Sequence, residues 1–162
     1  MKRLLVSAIL VFWTAACATE TPSPLIGISD LGVQAPSSID AATLRTTGFQ
    51  ATLRNGGARS LYTKIGDAFN GAIEQDPLYT SLGSDAEVEV QRSTGVWSSI
   101  TVGLLTEGTR FVELKPGKSY RLMATGDPTT FRGQARVRVR YSENADGSGQ
   151  QSVAYSNTFE IR

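Results

Sequence analysis

The chain has 162 residues, with 16 basic against 15 acidic side chains, a single cysteine and no histidine. That balance gives no electrostatic basis for binding nucleic acid. The missing imidazole excludes Ser-His-Asp and Cys-His catalysis and argues against a zinc or copper centre. One cysteine cannot form an internal disulfide, and no apolar run reaches the roughly 20 residues that a spanning helix needs.

In chain order, Met1-Lys2-Arg3 precedes an apolar stretch from Leu4 to Trp13, which ends in Thr14-Ala15-Ala16-Cys17. A positive start, an apolar run of about ten residues and a small-residue exit make a secretory leader. On those residues alone, ordinary cleavage near Ala16 or Ala18 is also open. The segment resembles a bacterial lipoprotein signal peptide, with Thr14 standing where that pattern usually has leucine. The resemblance implies that residues 1–16 are removed and that Cys17 is lipidated on its sulfur and its amine. Each buried CH₂ contributes about 0.8 kcal/mol, so two or three chains hold a domain at the membrane essentially permanently. The same resemblance implies the outer membrane, because Ala18 rather than Asp follows the cysteine, with the domain facing the periplasm. Loss of Lys2 and Arg3 leaves 14 basic against 15 acidic side chains, a nearly neutral mature chain.

Residues 17–40 are rich in Ser, Thr and Pro, as in Thr21-Pro22-Ser23-Pro24 and Ala35-Pro36-Ser37-Ser38, and read as a tether. Within them, Leu25-Ile26-Gly27-Ile28 and Leu31-Gly32-Val33 alternatively make a first edge strand.

From 41 to 162 the apolar residues alternate with the period of a strand. Phe49, Ala51 and Leu53 share a face, Asn55-Gly56-Gly57 turns the chain, and Leu61 to Ile65 follows. Val88 and Val90 lie between Glu87, Glu89 and Gln91, and Ser93-Thr94-Gly95 turns into Val96 to Ile100, which reads as a hairpin. Further strands are predicted at 111–114, 120–123, 135–141 and 153–161. Only 66–79 lacks alternation, which leaves a short helix or a long loop there. About seven or eight short antiparallel strands punctuated by Gly, Pro, Asn and Ser predict an all-β sandwich or barrel.

Two passages carry a further likeness. Leu114-Lys115-Pro116-Gly117-Lys118-Ser119-Tyr120-Arg121-Leu122 and the segment from Arg136 to Ile161 resemble immunoglobulin-like and fibronectin type III domains. The resemblance covers about a third of the chain and implies an immunoglobulin-like β-sandwich. It also implies a corner at which the Tyr120 hydroxyl bonds back to the backbone. An interval at Thr125 to Gly133 interrupts the usual run from that tyrosine strand into the last hairpin.

Few residues carry chemistry. Glu87 and Glu89 are two apart on one strand face, but alternation with Val88 and Val90 accounts for them as a solvated face. Glu143-Asn144-Ala145-Asp146-Gly147 offers oxygen ligands without the spacing of a calcium loop, and a hairpin uses Asp-Gly for its backbone angles alone. No catalytic residue, cofactor or metal ligand is assigned, and the chain is not expected to be an enzyme. Arg136, Arg138 and Arg140 line one strand face about 7 Å apart. They fit either docking to an acidic partner or headgroup, or a charged face with cross-strand Glu partners that keeps the sheet soluble. Trp97 fits either the core, the favoured place for a large aromatic, or an exposed stacking platform. The expected function is a lipid-anchored envelope protein presenting its domain to a protein partner; the alternative is a module for a small ligand or glycan that uses Trp97.

Overall fold

The computed structural model describes residues 30–66, 77–102, 108–129 and 131–162. Cys17, the leader, residues 25–29 and most of 66–79 lie outside them. The elements are Leu31–Gln34 (β1), Ser38–Ile39 (β2), the helix Ala41–Thr46 (α1), Phe49–Asn55 (β3), Leu61–Gly66 (β4) and Leu78–Tyr79 (β5). They continue with Ala86–Gln91 (β6), Trp97–Ser99 (β7), Thr109–Leu114 (β8), Ser119–Ala124 (β9), Gly133–Ser142 (β10), Gln151–Tyr155 (β11) and Phe159–Ile161 (β12). The fold is all-β. Among the described residues no helix is long and apolar enough to cross a membrane.

All strands join one open, curled sheet. One half runs β1-β3-β9-β5-β4, with β8 on the far edge of β4. The other half is built on β10, the longest strand, which pairs with β6 on one side and with β11 and β12 on the other. β7 pairs with β6. The halves meet where β4 pairs with β10 at Tyr62 and Ser142, and at Asp85, whose N–H donates to Lys64 O and whose carbonyl accepts from Arg140 N. A period of two puts Phe49, Ala51 and Leu53 of β3, and Ala135, Val137, Val139 and Tyr141 of β10, on the inner face of the curl. They share one core with Leu44, Leu61, Leu114, Leu122 and Ile161. Phe49 and Phe159 meet edge to face there at 5.0 Å between ring centroids.

The structure departs from the sequence reading in three ways. Leu31–Gln34 is a strand paired antiparallel to β3, which is the edge-strand alternative at Leu31-Gly32-Val33 and not the tether. Two pairings are parallel, β5 with β9 and β2 with β12. Both involve two-residue strands, too short for alternation to reveal. The run from Val153 to Ile161 divides into β11 and β12 because Ser156 and Asn157 leave the ladder. Ser156 N donates to Val137 O and its Oγ accepts from Val137 N, while the Asn157 side chain pairs with both backbone groups of Ala35.

The interval after Tyr120 also finds its place. Thr125 Oγ1 donates to Val102 O, Asp127 N donates to Ile100 O, and Gly126 forms a bridge with Thr101. This passage therefore closes over the end of the β6–β7 hairpin. At the Pro116-Gly117 turn, Lys115 N donates to the Tyr120 hydroxyl at 2.8 Å.

Candidate interaction face

The outer face of β7, β6, β10 and β11 brings together every predicted surface residue among those described. β6 and β10 pair in register with Arg136 opposite Glu89 and Arg138 opposite Glu87. Side chains directly opposite on one face are close enough to bond. Arg136 Nε donates to Glu89 Oε2 at 2.9 Å, and Arg138 Nη2 donates to Glu87 Oε2 at 2.7 Å. Arg138 Nε also lies 3.3 Å from Glu89 Oε1, and Arg140 Nε lies 3.5 Å from Asp85 Oδ1, as ion pairs without hydrogen-bond alignment.

The three arginines thus face three carboxylates, so the stripe is a charge-balanced ladder. Exposure is graded along it: the Arg136 side chain is 20% accessible and Arg140 40%, against 7% for Glu89. Glu89 is therefore buried, which corrects the reading of Glu87 and Glu89 as a solvated face. Arg136 bonds it and Arg138 pairs with it as an ion. Each carboxylate has an arginine against it, so none stands as a free acid or base pair across a cleft.

Trp97 lies between its two alternatives. It is half-buried and outside the core cluster, because parity along β7 turns it outward with Glu89 and Arg136. Its neighbour Val96 is 59% exposed in the turn. Trp97 instead stacks on Arg136, whose Cζ lies 4.1 Å from the indole centroid and 3.9 Å from the centroid of Tyr155. A guanidinium between two ring faces gains cation–π attraction on both sides and loses rotamer freedom. Its Nε–Glu89 bond fixes the third direction. Tyr155 and Asp85 were not singled out from the sequence. The signal for Tyr155 was its place on the strand that follows the glycine-rich turn, and for Asp85 its two-residue offset from Glu87.

The turn at 143–149 uses its own oxygens. Glu143 Oε2 accepts from Arg59 Nη1 at 2.7 Å, and Asp146 Oδ1 accepts from Ser148 N at 2.9 Å. The hydrogen bonds from Ser148, side chain first and then backbone, hold the Asp146 carboxyl below its ordinary range. Among the described residues no cluster of three His, Cys, Asp or Glu side chains is arranged to hold a metal.

Two cavities lie off the ladder. One of about 360 Å³ opens between Asp30, Tyr141, Glu143 and Gln150. The other, about 450 Å³, lies between the β6–β7 turn and residues 131–134. No protein-family model matches the chain, and no curated protein shows significant similarity to it.

Proposed function

We propose that this chain is a lipid-anchored, non-catalytic protein of the cell envelope whose outer sheet face docks another envelope protein. The leader order and the position of Cys17 support the anchor. The bond from Lys115 N to the Tyr120 hydroxyl supports reading the domain as an immunoglobulin-like sandwich, since that resemblance implies such a corner.

The observation that carries docking is the stack of Trp97, Arg136 and Tyr155. Trp, Tyr and Arg are the residue types that dominate binding energy at protein interfaces. Here they are clustered and held rigid before any partner arrives, which lowers the ordering cost of association. Tyr155 and Val153 are exposed beside them at 48% and 40%, and the surrounding charges are already paired. A partner therefore buries apolar rings without stranding a lone charge. The anchor keeps the face at the outer membrane, facing the periplasm.

Intact mass and membrane fractionation of the native protein beside a Cys17→Ser variant test the anchor. A lipid-sized mass increase with retention that depends on Cys17 is expected; an unlipidated soluble chain overturns it. Crosslinking in intact cells then tests the face. A discrete envelope adduct is expected that falls at least fivefold in Tyr155→Ser. An adduct of unchanged yield removes the face from the proposal.

A further inference from the structure

β6 and β10 are paired from Val139↔Ala86 to Ala135↔Val90, and there the pairing stops. Beyond it β6 continues to Gln91, which pairs outward with Trp97, while β10 begins at Gly133, which pairs the other way with Ile161. The two strands have turned to different neighbours. The groove of about 450 Å³ between their ends is lined by Gln91, Arg92, Ser93, Phe131, Arg132 and Gln134.

Its charges differ from those of the ladder. Among the described residues no carboxylate forms an ion pair with Arg92 or Arg132. Arg132 is oriented by two backbone bonds, Nη1 to Pro128 O at 3.2 Å and to Phe131 O at 2.8 Å, which leave its remaining N–H groups free to donate. Arg92 is set by the turn, its N–H donating to Val96 O and its carbonyl accepting from Gly95 N. Arg92 and Arg132 therefore line one groove, and among the described residues neither is paired with a carboxylate.

The rest of the lining is amide, hydroxyl and ring. Gln91 and Gln134 are both exposed and each offers an acceptor and two donors. Phe131 is half-buried, its body packed on the core. Gly133 has φ +121°, and a Cβ there would lie 3.6 Å from the tip of the Phe131 ring. A side chain at 133 would cover that ring, whereas glycine leaves it open.

From these residues we infer that the groove binds an acidic sugar, a pyranose bearing a carboxylate. The guanidiniums take the carboxylate through charge-assisted bonds. The amides take ring hydroxyls, and the Phe131 face takes the apolar face of the ring. The volume lies within the range of small-ligand sites. This site is independent of the docking face.

The test is calorimetric titration of the detergent-solubilised full chain with trigalacturonate, with neutral maltotriose and with hexaglutamate. Trigalacturonate is expected to bind and maltotriose at least tenfold more weakly. Arg92→Gln and Arg132→Gln are each expected to weaken trigalacturonate about tenfold, the scale of one charge-assisted contact. Lys118→Gln, an equal charge change at a distant turn, is expected to leave it unchanged. Among the described residues the Arg92 side chain has no bonding partner, so its variant reads binding even if Arg132→Gln disturbs the backbone at Pro128 and Phe131. Equal binding of maltotriose, or trigalacturonate binding indifferent to Arg92→Gln, overturns the inference. Tighter binding of hexaglutamate at the same arginines also overturns it, in favour of an acidic protein segment.

Discussion

The two halves of the sheet hold their polar groups in opposite ways. In the β3–β9–β5 half the buried ones are neutral. Asn55 is fully buried, its Nδ2 donating to Arg59 O and Leu114 O and its Oδ1 accepting from Gly57 N. Thr80 and Thr125 are likewise buried, and Thr125 N donates to Thr80 Oγ1 at 3.0 Å. On the outer face of the β6–β10 half the polar groups are full charges, mostly partly exposed and paired side chain to side chain. The buried bond from the Asn55 amide to Leu114 O ties the end of β3 to the end of β8. Ladder charges keep some contact with water, so their net contribution is smaller and they stay available at the surface. One half thus specifies the fold, and the other half presents a face.

The widest gap between the halves is expected at Asn55. Asn55→Ala removes three bonds, one buried and two part-buried, and leaves two carbonyls and an N–H without this partner, at about 1 kcal/mol each, so a loss of about 3 kcal/mol is expected. Chemical denaturation measures it; a loss under about 1 kcal/mol would erase the contrast.

The ladder should respond less. Arg136→Ala strips Glu89 of its closest cation, but Arg138 remains at 3.3 Å and the site is partly wet, so about 2 kcal/mol is expected rather than the larger loss of a fully buried pair. A double-mutant cycle with Glu89→Gln should recover about 1 kcal/mol as coupling. Strict additivity would mean that the pair contributes packing alone. Next come the rings. Trp97→Ala and Tyr155→Ala each remove one face of the stack, with an expected loss of about 0.5–1 kcal/mol. Trp97 is the sole tryptophan after Cys17, so its fluorescence can be followed in a chain that begins at residue 17. Arg136→Ala should increase its quenching by acrylamide, and an unchanged response would show that Arg136 does not shield it.

The contrast also explains what the sequence made legible. Charged and apolar residues alternate along β6 and β10, so strand, face and the prospect of cross-strand Glu partners could all be read from period two. The depth of Glu89 could not, because it depends on two arginines far along the chain reaching back over it. Trp97 stays open between core and platform in the sequence, because side-chain size argues for burial while parity in a three-residue strand is too weak a signal to settle it. The Asn55 latch was read only as a turn: Asn-Gly-Gly signals a reversal, but nothing local shows that the amide reaches Leu114. Neither β2 nor β5 was visible, since two residues carry no period. The groove at Arg92 and Arg132 arises from two strands choosing different partners, a property of topology alone.

The smallest effect is expected at Asp146, where a charge is exposed and its bonds are local. Its carboxylate accepts from Ser148, and its folded value lies below the ordinary range. A depressed carboxyl contributes fully above its unfolded value, and that contribution disappears as pH falls through the folded one. Acidification should therefore loosen the 146–148 turn only below the usual carboxylate range. The Ser148 amide resonance, followed by NMR from pH 6 downward, should shift there while the midpoint of global unfolding is no more affected by Asp146→Asn than by a neutral surface change. If Ser148 instead shifted at or above the ordinary range, the hydrogen bond would not favour the ionised form. A large change in global stability in Asp146→Asn would place this turn with the Asn55 latch, among the elements that specify the fold.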